Sequence, residues 1–105
     1  MEEFLIREAR IRQEVFEKLP EILKKIRDIL SKMDKDSRAF LFGSVARGEY
    51  SLTSDVDILI LTKLKPNEVI ARLRKEGFDE PFEFHVVDEK AFDFYTLLFK
   101  ELKEF

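Results

Sequence analysis

The 105-residue sequence contains no cysteine and no tryptophan, and only three glycines, three prolines and one histidine. Without cysteine there is no disulfide framework and no thiolate metal site. With so little glycine and proline there is no flexible linker or low-complexity tract, so residues 1–105 read as one domain. There is no excess of positive charge either. Lys and Arg number 19 against 22 Asp and Glu, a net charge of -3, and an indiscriminate grip on nucleic acid needs a basic face. Nucleic acid is therefore not an expected partner. The N-terminus is charged and lacks the apolar core of a secretory signal, which makes a cytoplasmic protein without membrane contact the default expectation. A chain of this size supports a single core but no separate substrate-binding lobe, so a second substrate needs surface from a partner.

Hydrophobic residues make up 45% of the chain and charged ones 39%, a balance that folds. Residues 2–33 carry Ile11, Val15, Leu19, Ile22, Ile26, Ile29 and Met33 at helical spacing. Pro20 interrupts this run and predicts a kink or a helix restart. Arg38 to Phe42 reads as a strand. Asp55 to Thr62 reads as a second, so apolar beyond its aspartates that both faces should be covered. Pro66 starts a helix that Gly77 ends. Phe82 to Val87 reads as a third strand, and Glu89 to about Glu104 as a closing helix. The expected class is α/β (α+β), a small mixed sheet of about three strands flanked by helices.

The stretch LFGSVARGEYSLTSDVDILIL, Leu41 to Leu61, carries the chemistry. On a strand of period two, Asp55 and Asp57 share a face with Cα atoms about 6–7 Å apart. Two such carboxylates repel unless something positive lies between them. Mg²⁺ or Mn²⁺ suits these oxygen donors and also binds substrate phosphate. The plainer alternative makes one aspartate a loop cap and the other the salt-bridge partner of an arginine.

Upstream, Gly43 and Ser44 follow a strand and precede helix-compatible residues, which describes a strand-to-helix turn with free backbone N–H groups. Gly43 allows close approach to a phosphate, and the Ser44 hydroxyl adds a donor. Gly43 and Gly48 have phosphate-loop spacing, yet Glu49 and Tyr50 stand where a lysine and a metal-binding hydroxyl belong, so that motif is excluded. No G-x-G-x-x-G occurs, which leaves a dinucleotide fold without support.

The segment GSVARGEYSLTSDVDILI resembles the GSxARGxxxxxSDxDxxV signature of the minimal nucleotidyltransferases, the smallest members of the DNA polymerase β-like superfamily. Gly43, Ser44, Ala46, Arg47, Gly48, Ser54, Asp55 and Asp57 fall on its positions. The resemblance implies transfer of a nucleoside monophosphate, AMP from ATP, to a hydroxyl with two Mg²⁺ ions. It assigns Gly43 and Ser44 to the triphosphate and Asp55 and Asp57 to the metals. Arg47 either contacts phosphate or is structural, and Ser54 caps or orients its neighbours. The pattern also asks for a third acidic residue on a later strand, as a metal ligand and proton acceptor. Glu83 and His85 share a strand face and compete for that role; Glu83 has the expected chemistry, while His85 stands where many relatives carry the acid.

At the C-terminus, Phe92, Tyr95, Phe99 and Leu102 form one helical stripe and Phe94, Leu98 and Phe105 approach another. One stripe covers the sheet; the second is either core or a partner surface. The resemblance implies a HEPN-type helical toxin as partner, with a tyrosine of that partner accepting AMP, and a homo-oligomer is the other assembly expected. The alternative function is an antitoxin or nucleotide-binding module acting by contact alone. A sugar-nucleotide transferase also uses D-x-D but leaves the Gly-Ser turn unexplained.

Overall fold

The structure, a computed structural model, describes residues Met1 to Phe105. The N-terminal run forms two helices, α1 (Glu2–Glu17) and α2 (Leu19–Met33). They break at Lys18, whose backbone leaves the helical region (φ -106°, ψ 14°), and α2 restarts with Pro20 in its first turn. Proline costs nothing there because its missing N–H would have no intrahelical partner.

Four further segments build the body of the sheet: β1 (Arg38–Phe42), the one-turn helix α3 (Gly43–Ala46), β2 (Val56–Leu61) and, after α4 (Pro66–Lys75), β3 (Phe82–Val87). β1 and β2 are antiparallel; β2 and β3 are parallel, with α4 as the crossover. The fifth helix, α5 (Glu89–Leu98), is capped by the Asp88 carboxylate, which accepts from the Ala91 N–H at 2.9 Å.

Alternation along the strands divides the core in two. Ala39, Leu41, Ile58, Ile60, Phe82 and Phe84 pack with Ile26 and Leu30 of α2 and Val69 and Leu73 of α4. Phe40, Phe42 and Leu59 face the other way, under Phe92, Tyr95, Phe99 and Leu102. The central strand β2 is therefore covered on both faces, as its apolar composition requires. No helix is long and apolar enough to cross a membrane.

The C-terminus departs from the expected long helix. α5 ends at Leu98, Phe99 is extended (φ -118°, ψ 116°), and Lys103–Glu104 form a short fourth strand, β4, antiparallel to β1. The sheet thus has four strands in the order β3-β2-β1-β4. The reason is the open edge of β1, whose unpaired N–H and C=O groups need partners. Glu104 accepts from Arg38 Nε and Nη2 at 2.9 and 2.7 Å, and the Phe105 N–H donates to the Ala39 carbonyl at 2.9 Å. Phe105 then reaches the α2 side of the sheet while Phe99 and Leu102 stay on the α5 side.

Beyond α2, the buried Asp34 ties the helix to the end of β2. The Thr62 hydroxyl donates to its Oδ2 at 2.6 Å and the Asp36 N–H to its Oδ1 at 3.0 Å. The Thr62 bond, with the Asp36 N–H and nearby Lys63, holds this carboxyl below its ordinary value against the opposing cost of burial. Such a depressed group stabilises the fold above the unfolded pKa of about 3.9, and the contribution is lost as pH falls through the folded value. Thr62→Val is expected to cost about 1 kcal/mol at neutral pH and to lose part of that penalty in acid. Urea unfolding at both ends of this range checks it; an equal penalty at each would assign the loss to packing.

Candidate active site

The site grows from the junction of β1 and β2. β1 ends at Phe42, and Gly43 turns the chain into α3 with φ +76°, a left-handed conformation that favours glycine. Phe42 is the register partner of Asp57 on β2, so the turn lies against the Asp57 side chain. A Cβ on Gly43 would sit 2.6 Å from Asp57 Oδ2. The glycine is thus a notch in which this carboxylate oxygen rests. The first N–H groups of α3 have no intrahelical acceptor, and the Ser44 hydroxyl makes no hydrogen bond within the chain.

The other oxygen of Asp57 faces β3. Oδ1 lies 3.5 Å from His85 Nε2, a nitrogen that is buried and otherwise without a polar partner. The imidazole packs edge-on to Phe42, with centroids 5.0 Å apart, and its Nδ1 lies 3.5 Å from the Tyr95 hydroxyl on α5. Glu83 pairs in register with Asp57 across the parallel ladder, which puts both on the α5 face of the sheet. Its side chain is exposed and takes part in no ion pair.

Asp55 precedes β2 and is engaged elsewhere. Arg12 of α1, only 12% exposed, donates from Nη2 to Asp55 Oδ1 at 3.2 Å and from Nε to the Ser54 carbonyl at 3.1 Å. Glu8 braces the same guanidinium at 3.1 Å. Ser54 Oγ accepts from the Ser51 N–H at 2.9 Å and closes the loop before the aspartates. Arg47 Nε donates to the exposed Glu49 carboxylate at 3.2 Å.

The structure therefore joins Gly43, Asp57 and His85 directly, keeps Ser44 and Glu83 free beside them, and gives Asp55 to an arginine. No group of three His, Cys, Asp or Glu side chains is gathered closely enough to form a metal cage. The donor chemistry still fits Mg²⁺, which is held through one or two carboxylates plus substrate phosphates and water; Asp57 Oδ2, in its glycine notch, would be the first of these. Two participants lay outside the sequence reading. Arg12 sits 42 residues before Ser54 and carries no local signal, whereas Tyr95 stands in the sequence as one member of an apolar helical stripe. A cleft of about 530 Å³, lined by Asp34, Arg38, Thr62 and Lys63, lies at the opposite end of β2, roughly 13 Å along the strand from Asp57.

A strand-turn-helix notch beside a strand-borne carboxylate is an arrangement suited to a nucleotide phosphate, and comparison with known proteins gives the family. Residues 23–104 match the nucleotidyltransferase domain family, and the chain belongs to it. A Methanocaldococcus jannaschii protein named "Putative protein adenylyltransferase MJ0141" is 51% identical over 53 residues, which span 50% of this chain and 52% of that relative's length. Among solved structures, a crystal structure named as that of a putative nucleotidyltransferase superposes with a TM-score of 0.66 at 30% identity, covering 79% of this chain and 96% of the other. One named as a putative nucleotidyltransferase from Sulfolobus solfataricus gives 0.61 at 26% identity, covering 90% and 85%.

Proposed function

We propose that this nucleotidyltransferase domain moves AMP from ATP to a protein hydroxyl in the cytoplasm, the acceptor being a tyrosine of a HEPN-type helical partner. The observation that carries the reading is the Gly43 notch against Asp57 Oδ2, because it sets the backbone of the strand-to-helix turn directly beside a hard oxygen donor. The adenylyltransferase name of the archaeal relative favours a protein acceptor.

In this reading the α3 N–H groups and the Ser44 hydroxyl bind the triphosphate. Asp57, and Asp55 once Arg12 releases it, would hold Mg²⁺ or Mn²⁺, which supplies charge neutralisation for the triphosphate and the departing pyrophosphate. The acceptor oxygen bonds to the α-phosphorus, the α–β phosphoanhydride bond breaks, and pyrophosphate leaves. Glu83, unpaired and on the same sheet face as Asp57, takes the acceptor's proton. Phe94, Leu97 and Leu98 of α5 are 63%, 83% and 61% exposed and offer an apolar contact for the partner or for a second copy.

The test is incubation of the protein with α-labelled ATP, Mg²⁺ and a HEPN-type helical protein from the same organism. Label is expected on a partner tyrosine; label on no protein, with Mg²⁺ or Mn²⁺, would overturn the proposal. A second reading, a contact-only antitoxin, is favoured by one feature, the Arg12–Asp55 ion pair that occupies one of the two aspartates. It predicts full toxin neutralisation by a protein unable to transfer label.

A further inference from the structure

His85 stands between two polar groups on different elements, Asp57 on β2 and Tyr95 on α5, each 3.5 Å from one of its ring nitrogens. Both contacts are long, as hydrogen bonds of an active site commonly are before substrate binds. Nε2 is cut off from water even though the His85 side chain is 36% exposed. The arrangement is electrostatically directional. An ionised carboxylate only accepts, so a bare Nε2 lone pair facing Asp57 Oδ1 would set two lone pairs against each other with no water between them. A proton on Nε2 removes that conflict. Nδ1 of the uncharged ring must then accept, and the donor this chain sets beside it is the Tyr95 hydroxyl. The ring is held edge-on to Phe42 at 5.0 Å and lies 6.2 Å from the Tyr95 ring, which in turn stacks on Phe99 at 5.7 Å. The tyrosine therefore belongs to a packed aromatic cluster.

We propose that Tyr95 is a positioning residue of the transfer site: its hydroxyl donates to His85 Nδ1, fixes the Nε2–H tautomer, and so steers His85 to hold Asp57 Oδ1 while Oδ2 stays turned to the Gly43 notch. The inference rests on the transferase reading for its catalytic consequence. It explains why two carboxylate oxygens of one residue have different neighbours. In that tautomer Nε2 carries a proton and has no lone pair to give a metal.

The single histidine of the chain makes the test direct. In uniformly ¹⁵N-labelled protein, a long-range ¹H–¹⁵N spectrum of the uncharged ring contains one imidazole. The expected wild-type pattern is Nε2 protonated and Nδ1 unprotonated, with the Nδ1 resonance displaced by an accepted hydrogen bond. Tyr95→Phe keeps the aromatic packing and removes only the donor. It is expected to return Nδ1 to the position of a free acceptor and to lower kcat for label transfer about tenfold or more, with KM for ATP little changed. A wild-type ring protonated on Nδ1, or an Nδ1 resonance that ignores the substitution, would overturn the proposal whatever the activity. So would the expected spectral change with transfer unaffected. If the wild type transfers nothing, the transferase reading fails, and the spectrum alone still decides whether Tyr95 sets the tautomer.

Discussion

Asp57→Asn is expected to abolish label transfer, on the order of 10³-fold in rate, while leaving the folded protein intact. The substitution keeps the side-chain volume and removes a full negative charge from the oxygen pair that faces both His85 and the Gly43 notch. Electrostatic groups aimed at developing charge account for the larger part of phosphoryl-transfer catalysis, and a missing one is not replaced by solvent in a preorganised site. Stability should change little. The side chain is about a third exposed, with 29% of its surface accessible, and its apolar neighbours on the sheet are untouched. Mg²⁺ and ATP affinities should fall together, because both depend on the same carboxylate. Calorimetric titration with Mg²⁺ and ATP, run beside thermal unfolding and the transfer assay, checks each part. Transfer within tenfold of wild type would remove Asp57 from the machinery.

The second large effect is expected at Gly43, with Gly48 as an internal control. Both glycines have positive φ, +76° and +73°, so Gly→Ala at either forces a side chain into the left-handed region at about 1–2 kcal/mol. Their surroundings differ. A Cβ at Gly48 meets nothing within 4 Å, whereas one at Gly43 lies 2.6 Å from Asp57 Oδ2 and 3.4 Å from its Cγ. Gly43→Ala must therefore push the carboxylate out of its notch and block the approach to the turn. Similar losses of stability are expected for the two variants in urea unfolding. Transfer and ATP binding should fall steeply, 10²-fold or more, for Gly43→Ala alone. Equal losses of transfer in both variants would mean that the turn acts through backbone stability and not through Asp57.

Much of the fold was legible in the sequence because its signals are local. Pro20 and Pro66 sit in the first turns of α2 and α4, where proline is tolerated, and Gly77, just past α4, takes the positive φ of a helix end. The apolar run after Asp57 announced a strand buried on both faces. The end of α5 was not legible. Phe99 and Leu102 on one helical stripe and Phe105 near another fit a helix, but they also fit a chain that crosses the edge of a sheet, and only the unpaired edge of β1 selects the second.

The sequence by itself determined the turn and the carboxylate beside it, since Gly43, Ser44 and Asp57 are placed by a strand end, a tight turn and a strand start that neighbouring residues dictate. Which groups those side chains meet was decided only by tertiary structure. Arg12 reaches Asp55 because α1 folds back over the loop at Tyr50, whose ring lies tilted against Phe16 with centroids 4.5 Å apart. Tyr95 reaches His85 because α5 lies on the face of the sheet that carries Asp57. Hydrogen bonds and ion pairs act over a few ångströms, and residues 43 and 10 positions apart are brought within that range by packing, on which sequence periodicity is silent.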